Sequence, residues 1–416
     1  MSKIVILTPP AYGHINPTLP VAQELVRRGE QVIYYCTEEF RQPVEQTGAA
    51  FYPYPEHMLS AEQIAQALQD GNMVNIPVLL LRATERLLPF FLPELAQQRP
   101  DLLFFDSTAV WGKMAATILK LRGASSLAIL IFDERALQLT PRKLFLLLRQ
   151  SIPRAPALVR SGLRLRRQYG PGSFPAGRPL FPMRDGLNLV FSTRTLQPHL
   201  PVIDGTFHFV GPSINEQARA EANSLNLAPR AAPHRQPLVY IALGTIHHAQ
   251  PHFYNQCFAA LGDFPARFIL AIGKSTELGA LNPIPANFEV HVTVPQLQVL
   301  QHADLFITHG GINSVHEGLY YGVPLLVIPQ QFEQMMNGYC VAKQGAALVM
   351  DDQVLRGRVD MVALRQALET MLADARFTRS ARIMQKELQA TGGYRQAADE
   401  LQAYIKRPAP LPWPGR

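Results

Sequence analysis

Apolar residues in this chain fall into short runs separated by amphipathic stretches, and the two kinds of segment alternate almost from the first residue. Residues 4–8 (IVILT) make a run too short for a helix, which predicts a buried strand. Residues 17–28 then carry apolar positions at helical spacing and close at Gly29; 31–36 predict a second strand, and 38–47 a second helix closed by Gly48. This βαβα opening points to a parallel sheet. The stretch 60–98 is predicted mostly helical with interruptions at Pro77 and Pro89, because proline removes a backbone donor and crowds the preceding turn. Further strands are predicted at 102–105, 126–131, 187–192 and 207–210, with a helix at 110–121. Between 212 and 236 the periodicity fades into a polar, Ala/Pro-rich run that reads as a linker. A second alternating series follows, with strands at 238–243, 267–272, 288–292, 305–308 and 325–328 and helices from about 361 onward. The fold class is α/β: two doubly wound halves, expected to turn their strand ends toward a shared cleft.

The stretch 304–329, DLFITHGGINSVHEGLYYGVPLLVIP, is the most informative part of that pattern. It reads as strand, glycine turn, helix and second strand, a βαβ unit whose helix opens beside His309-Gly310-Gly311. Glycines there admit a ligand close to the backbone, and the N–H groups and dipole at the helix start, near Asn313 and Ser314, suit a phosphate or diphosphate. An ordinary β-to-α turn with a polar cap is the competing reading of the Gly-Gly pair. Glu317 one turn along, and Glu333, Gln334 and Asn337 past the second strand, gather further polar groups at strand ends.

Composition narrows the class. A content of 47% apolar residues supports a sizeable core, and 416 residues suit two domains. The three cysteines, Cys36, Cys257 and Cys340, lie far apart and form no Cys/His cluster, so neither a zinc ribbon nor a disulfide framework is expected and a reducing cytoplasm fits. The apolar run before Pro9-Pro10 is too short for a signal peptide or a membrane span and reads as the first strand. The net charge of +7 is concentrated: segment 135–184 holds eleven Lys or Arg and no Asp or Glu, interleaved with leucines. Three readings of this basic amphipathic segment stand side by side: a solvated helical face, a wall or lid of an acceptor pocket, and weak contact with an anionic membrane surface. Nucleic acid is not an expected partner, because no aromatic-rich stacking strand or recognition helix accompanies the charge.

Candidate chemistry sits at the strand ends of both halves. The loop after the first strand places Gly13-His14 just before a helix, and Asp106 directly follows the strand LLFF. A lone loop histidine is more often a surface or capping residue, but Asp106 at a matching strand end could accept from one ring nitrogen of His14 and leave the other as a base, the base half of a catalytic triad. No Gly-x-Ser-x-Gly elbow supplies a nucleophile, so the base would activate a hydroxyl of a substrate. In the second half Gly244-Thr245 follows the strand LVYIAL and makes a small donor-rich turn. No Asp-x-Asp pair occurs to grip a divalent metal with a nucleotide diphosphate, so leaving-group charge would fall to helix N–H groups, His309, Ser314 and Thr245. There is no Walker lysine loop, and Gly-x-Gly-x-x-Gly is absent from the first turn, which argues against nicotinamide and flavin cofactors.

Together these pieces resemble the UDP-glycosyltransferase superfamily (glycosyltransferase family 1), in its bacterial macrolide and flavonoid branch. The resemblance runs through TPPAYGHINP at 8–17, the Asp106 segment with Trp111, Gly244-Thr245, Val294-Pro295-Gln296 and the long signature 309–337. It implies the GT-B architecture: an acceptor domain at 1–212 completed by a returning C-terminal helix within 397–416, a linker at 213–236, and a nucleotide-sugar domain at 237–396. It further implies inverting transfer without a metal or other cofactor, with UDP-glucose as the expected co-substrate and a mostly apolar hydroxylated small molecule as acceptor. His14 would be the base and Asp106 its orienting partner, with Gly13 beside it. On the donor side His309, Asn313 and Ser314 would contact the diphosphate, Gly311 would permit its approach, Glu317 would bind the ribose, Gln296 the nucleoside, and Glu333 and Gln334 the sugar hydroxyls. Two positions depart from the pattern. Thr293 stands where many relatives stack Trp on uracil, a platform worth about 1 to 3 kcal/mol by analogy with other stacking sites, and Glu333 replaces the more usual Asp. Transfer to a membrane lipid or carotenoid, and a sugar-nucleotide-binding auxiliary protein without turnover, are the alternative functions.

Overall fold

The structure, a computed structural model, describes residues 1–69, 74–132, 149, 152–175, 181–215, 225, 227, 230, 235–244, 251–273, 276–281, 283–352, 354 and 357–408. The chain forms two compact units, Met1–Ile214 with Thr391–Arg416, and Asn215–Ala390.

The first unit is built on seven parallel strands: β1 (Lys3–Leu7), β2 (Gln31–Cys36), β3 (Ala50–Pro53), β4 (Leu102–Asp106), β5 (Gly123–Leu127), β6 (Leu187–Val190) and β7 (Phe207–Phe209), in the order β3-β2-β1-β4-β5-β6-β7. Side chains alternate across a strand, and β1 shows what that does here. Val5 and Leu7 join Leu103 and Phe105 in a core closed by Leu87 and Phe91 of the helix Asn75–Gln98. Ile4 and Ile6 face the other way, with Leu102 and Phe104, against Val21 and Leu25 of the helix Thr18–Arg27 and Ala397, Ala398 and Leu401 of the helix Gly393–Lys406. Apolar residues on both faces are what an all-parallel sheet covered by helices requires.

The last helix therefore belongs to the first unit. Arg28 bonds Asp399 (2.5 Å) and Gln402 (3.0 Å), Gln402 donates to Glu30 at 2.6 Å, and His208 meets Glu400 at 2.9 Å. The unit boundaries fall at 214/215 and 390/391, against 212/213 and 396/397 read from the sequence, because residues 391–393 already pack on Val210 and Gly211.

The second unit holds six parallel strands: β8 (Leu238–Ala242), β9 (Arg267–Ala271), β10 (Phe288–His291), β11 (Leu305–Thr308), β12 (Leu325–Val327) and β13 (Ala347–Val349), in the order β10-β9-β8-β11-β12-β13. The strands predicted there are all present. Each sheet thus reverses its building direction once, between β1 and β4 and between β8 and β11. Those are the topological switch points at which open α/β sheets leave a crevice for ligands.

Four local features differ from the pattern-based reading. β3 and β13, both at sheet edges, were not among the predicted strands: β3 is mostly exposed and ends in proline, and β13 is only three residues long. The strand expected at 126–131 lies at Gly123–Leu127, where buried Ser125 and Ser126 hide it; Ser125 donates to the Met183 carbonyl at 2.7 Å. The helix expected to reach 121 ends at Ile118, where Lys120 adopts φ 53°. The helix Asn75–Gln98 runs unbroken through Pro89 and Pro93. Pro77 lies in its first turn, where no backbone donor is needed. Pro89 and Pro93 stand one turn apart on the exposed side, where water can reach the freed carbonyls, while Leu87, Leu88, Phe91 and Leu95 anchor the other side. Among the described residues no helix is long and apolar enough to cross a membrane.

Candidate functional site

At the first switch point the chain leaves β1 through Thr8-Pro9-Pro10 and forms a single helical turn, Tyr12–Ile15, that carries Gly13 and His14. The sequence reading placed these two residues in a loop; the turn closes because the His14 and Ile15 amides both bond the Ala11 carbonyl. β4 lies beside β1 with Phe105 opposite Leu7, so Asp106 emerges one residue further on, next to the same turn. His14 Nδ1 and Asp106 Oδ2 are 2.9 Å apart, with the carboxylate fully buried and the imidazole 22% exposed. A carboxylate accepts, so His14 Nδ1 is the donor in this contact.

The other oxygen of Asp106 is held as well. Oδ1 accepts from the Thr108 amide at 2.8 Å and from its hydroxyl at 2.6 Å. Thr108 was not among the residues singled out from sequence, although a Thr two residues after an Asp is the spacing of a local Asx turn. With both oxygens engaged the carboxylate has one orientation, and the imidazole inherits it. Gly13 shows a second property: a Cβ built on it meets nothing within 4 Å, so open space adjoins the turn.

At the second switch point Gly244 lies two residues past the end of β8, and His309 directly follows β11. Gly244 has φ 82°, and a Cβ there would stand 2.6 Å from the His309 ring. A Cβ on Gly311 would strike the same ring from the next turn. The imidazole is therefore seated in a slot that exists because both neighbours are glycine. Gly310 is required for another reason: φ is 85°, and a Cβ would come within 2.7 Å of the Gln334 carbonyl and of Val327. Gly311 is then the N-cap of the helix Ile312–Tyr320, which opens without a side-chain cap and carries Asn313 and Ser314, both half-buried, on its first turn. Thr245 lies outside the described residues.

Glu317 and Gln296 are brought together. Gln296 begins the helix Gln296–His302 and donates its amide N–H to Glu317 Oε2 at 2.5 Å. Its carbonyl oxygen accepts from the Tyr240 hydroxyl at 3.1 Å, so Tyr240, on β8 and stacked on Phe306, decides which way the amide points. Tyr240 was missed in the sequence because a tyrosine within an apolar strand reads as core. Thr293, three residues before Gln296, is exposed.

Past β12 the helix Phe332–Lys343 supplies the remaining residues. Glu333 Oε1 accepts from Asn337 Nδ2 at 2.7 Å, and the same amide reaches the Gly310 carbonyl at 3.1 Å, tying this helix to the glycine turn. Gln334 is placed differently from its neighbour. It is buried, and its Oε1 accepts from the amides of Gln330 (2.9 Å) and Gln331 (3.2 Å) in a capping box, which leaves its NH2 group as the donor for any further contact. Burial also sets the charge state of several groups. It pushes His316 down to about 3, so that imidazole is neutral, and it raises all three thiols, Cys36 to about 12 and Cys340 to about 11, so none is a ready thiolate.

Residues 207–386 match the family model for UDP-glucoronosyl and UDP-glucosyl transferase. The chain is 32% identical over 414 residues to the NDP-glycosyltransferase YjiC of Bacillus licheniformis, covering 97% of each chain. The chain belongs to this glycosyltransferase family. Oleandomycin glycosyltransferase of Streptomyces antibioticus is 29% identical over 97% of this chain and 91% of its own. Among solved structures, the glycotransferase of kitacinnamycin gives a TM-score of 0.78 at 28% identity, over 97% of this chain and 99% of that one. This glycosyltransferase thus has the GT-B fold, two Rossmann-like domains, and lies in the bacterial natural-product branch of family 1.

Proposed function

We propose that this glycosyltransferase moves a hexose, glucose from UDP-glucose, to a hydroxyl of a mostly apolar small molecule, with inversion at the anomeric carbon and without a metal. His14 Nε2 takes the acceptor hydroxyl's proton as the oxygen bonds to the anomeric carbon; the bond from that carbon to the diphosphate breaks, and UDP departs with the electron pair. Asp106 holds the imidazole and balances the charge it gains, help of a kind worth about 10²- to 10⁴-fold. The diphosphate charge is met by the N-terminus of the helix Ile312–Tyr320 with Asn313, Ser314, His309 and Thr245; the hydrogen-bonded Gln296 and Glu317 hold the nucleoside, and Glu333 and Gln334 the sugar. The reading places the enzyme in the cytoplasm, where its three free cysteines stay reduced.

The observation that carries this reading is the 2.9 Å contact between a half-buried imidazole and a fully buried, otherwise saturated carboxylate at one switch point. That is how a base is prepared for a substrate hydroxyl. The test is a mass-spectrometric matrix of UDP- and dTDP-hexoses against phenols, macrolides and unactivated alcohols, run with and without a chelator. UDP-glucose turnover that survives chelation and is lost in His14→Ala, with UDP binding retained, is the expected result. Dependence on added magnesium, or unimpaired transfer to an unactivated alcohol by His14→Ala, would overturn it.

A further inference from the structure

The helix Ala155–Tyr169, within the basic segment, has two faces of different character. On one side Ser161 and Leu165 are buried, and Leu165 packs into the core with Leu87 and Phe91. On the other Val159 is 57% exposed and Leu163 54%, and Ile152 on the preceding turn is 66% exposed. With 3.6 residues per turn, Val159 and Leu163 lie one above the other along the middle of the exposed face. Arg160, Arg164 and Arg167 run along one side of that stripe and Arg166 along the other, all exposed. Arg164 pairs with Glu85 of the neighbouring helix at 3.3 Å, and the helix itself carries no acidic residue.

This arrangement separates the three readings of the basic segment. A merely solvated face has no use for an aliphatic stripe at its centre, and arginines on both sides of that stripe suit a surface that is apolar within and anionic at its boundary. We infer that this face docks the first unit on the surface of a bilayer containing anionic lipid. The aliphatic side chains enter the headgroup boundary, and the arginines meet lipid phosphates from both sides. A second copy of the chain is a poor occupant, since two such faces would set arginine against arginine. Docking is independent of catalysis; its use rests on the proposed acceptor class, because apolar acceptors concentrate in bilayers.

Flotation of the full-length protein tests this on vesicles of phosphatidylglycerol mixed with phosphatidylcholine, and on phosphatidylcholine alone, at low and high salt. The expected result is flotation with the anionic vesicles that falls at least about tenfold at high salt, on neutral vesicles, and in either Val159→Glu/Leu163→Glu or Arg160→Glu/Arg167→Glu. Both double variants change exposed positions, and unaltered thermal melting with retained UDP binding shows that each is folded. No flotation of the wild type, equal flotation on neutral vesicles, or undiminished flotation of both folded variants would overturn the inference. So would concentration-dependent dimerisation without vesicles that the same substitutions abolish. Because flotation needs no turnover, an enzyme that floats yet transfers nothing would sink the proposed function and leave docking intact.

Discussion

The two switch points solve the same problem by different means. In the first unit a side chain is held by side chains: His14 is oriented by Asp106, and Asp106 by the hydroxyl and amide of Thr108. In the second unit glycines make the room: His309 occupies space left open by Gly244 and Gly311. Hydrogen bonds orient a proton acceptor and leave it movable charge, which suits a base. A glycine-lined turn fixes backbone N–H groups and excludes bulk, which suits a fixed anion. Each half is thus built in a way that suits the task proposed for it.

The comparison predicts different failures. The largest belongs to Asp106→Asn, in which the amide can donate to Nδ1 and favour the wrong tautomer. Transfer should drop by about 10²- to 10⁴-fold while calorimetric UDP affinity stays the same; a parallel loss of UDP affinity would erase the proposed separation of tasks. Next are the two kinds of glycine. Gly311→Ala pushes into the His309 ring and should lower stability by about 1 to 3 kcal/mol and weaken UDP binding. Gly13→Ala meets open space and should leave thermal melting within about 0.5 kcal/mol of wild type while reducing turnover. Equal melting of the two variants would show that the slot around His309 is not tight.

Smaller effects come from the residues behind the site. Thr108→Val removes one hydrogen bond to a carboxylate, a loss of about 1.5 to 3 kcal/mol for a charged partner, and should slow turnover roughly tenfold or more. Thr108→Ser restores the hydroxyl and should recover most of the rate, whereas a purely structural role for the methyl group would leave Ser as slow as Val. The smallest change is expected for Tyr240→Phe. Losing its neutral bond to Gln296 should weaken UDP binding by about 0.5 to 1.5 kcal/mol without altering turnover at saturating donor; a fall in saturated turnover would move Tyr240 into the chemistry.

Much of this was legible in the sequence wherever a polar residue directly follows an apolar run. His309 after LFIT and Asp106 after LLFF announce themselves because a parallel strand ends where its ligand-facing loop begins. Supports that depend on side-chain reach were not legible. Tyr240 sits inside a strand and only its hydroxyl leaves the core, and Thr108 looks like any loop threonine. The glycine pair was read as room for a ligand, yet both glycines first serve the protein, one by its positive φ and one by seating the histidine. Helix continuity through Pro89 and Pro93 was missed because Pro89 was read as a break, although four-residue spacing sets both prolines on the face opposite Leu88, Phe91 and Leu95.

The return of the last helix to the first unit has an architectural consequence. The second unit is an insertion, and its two covalent connections leave from adjoining backbone: the Gly393 amide bonds the Val210 carbonyl at 2.7 Å, and Thr391 packs on Gly211. Both ends of the inserted unit therefore meet at one paired stem. A cassette cut at that stem carries a whole six-stranded sheet between two neighbouring points of the first unit, so two cuts would exchange the second unit between relatives and leave the seven-stranded scaffold and its closing helix entire.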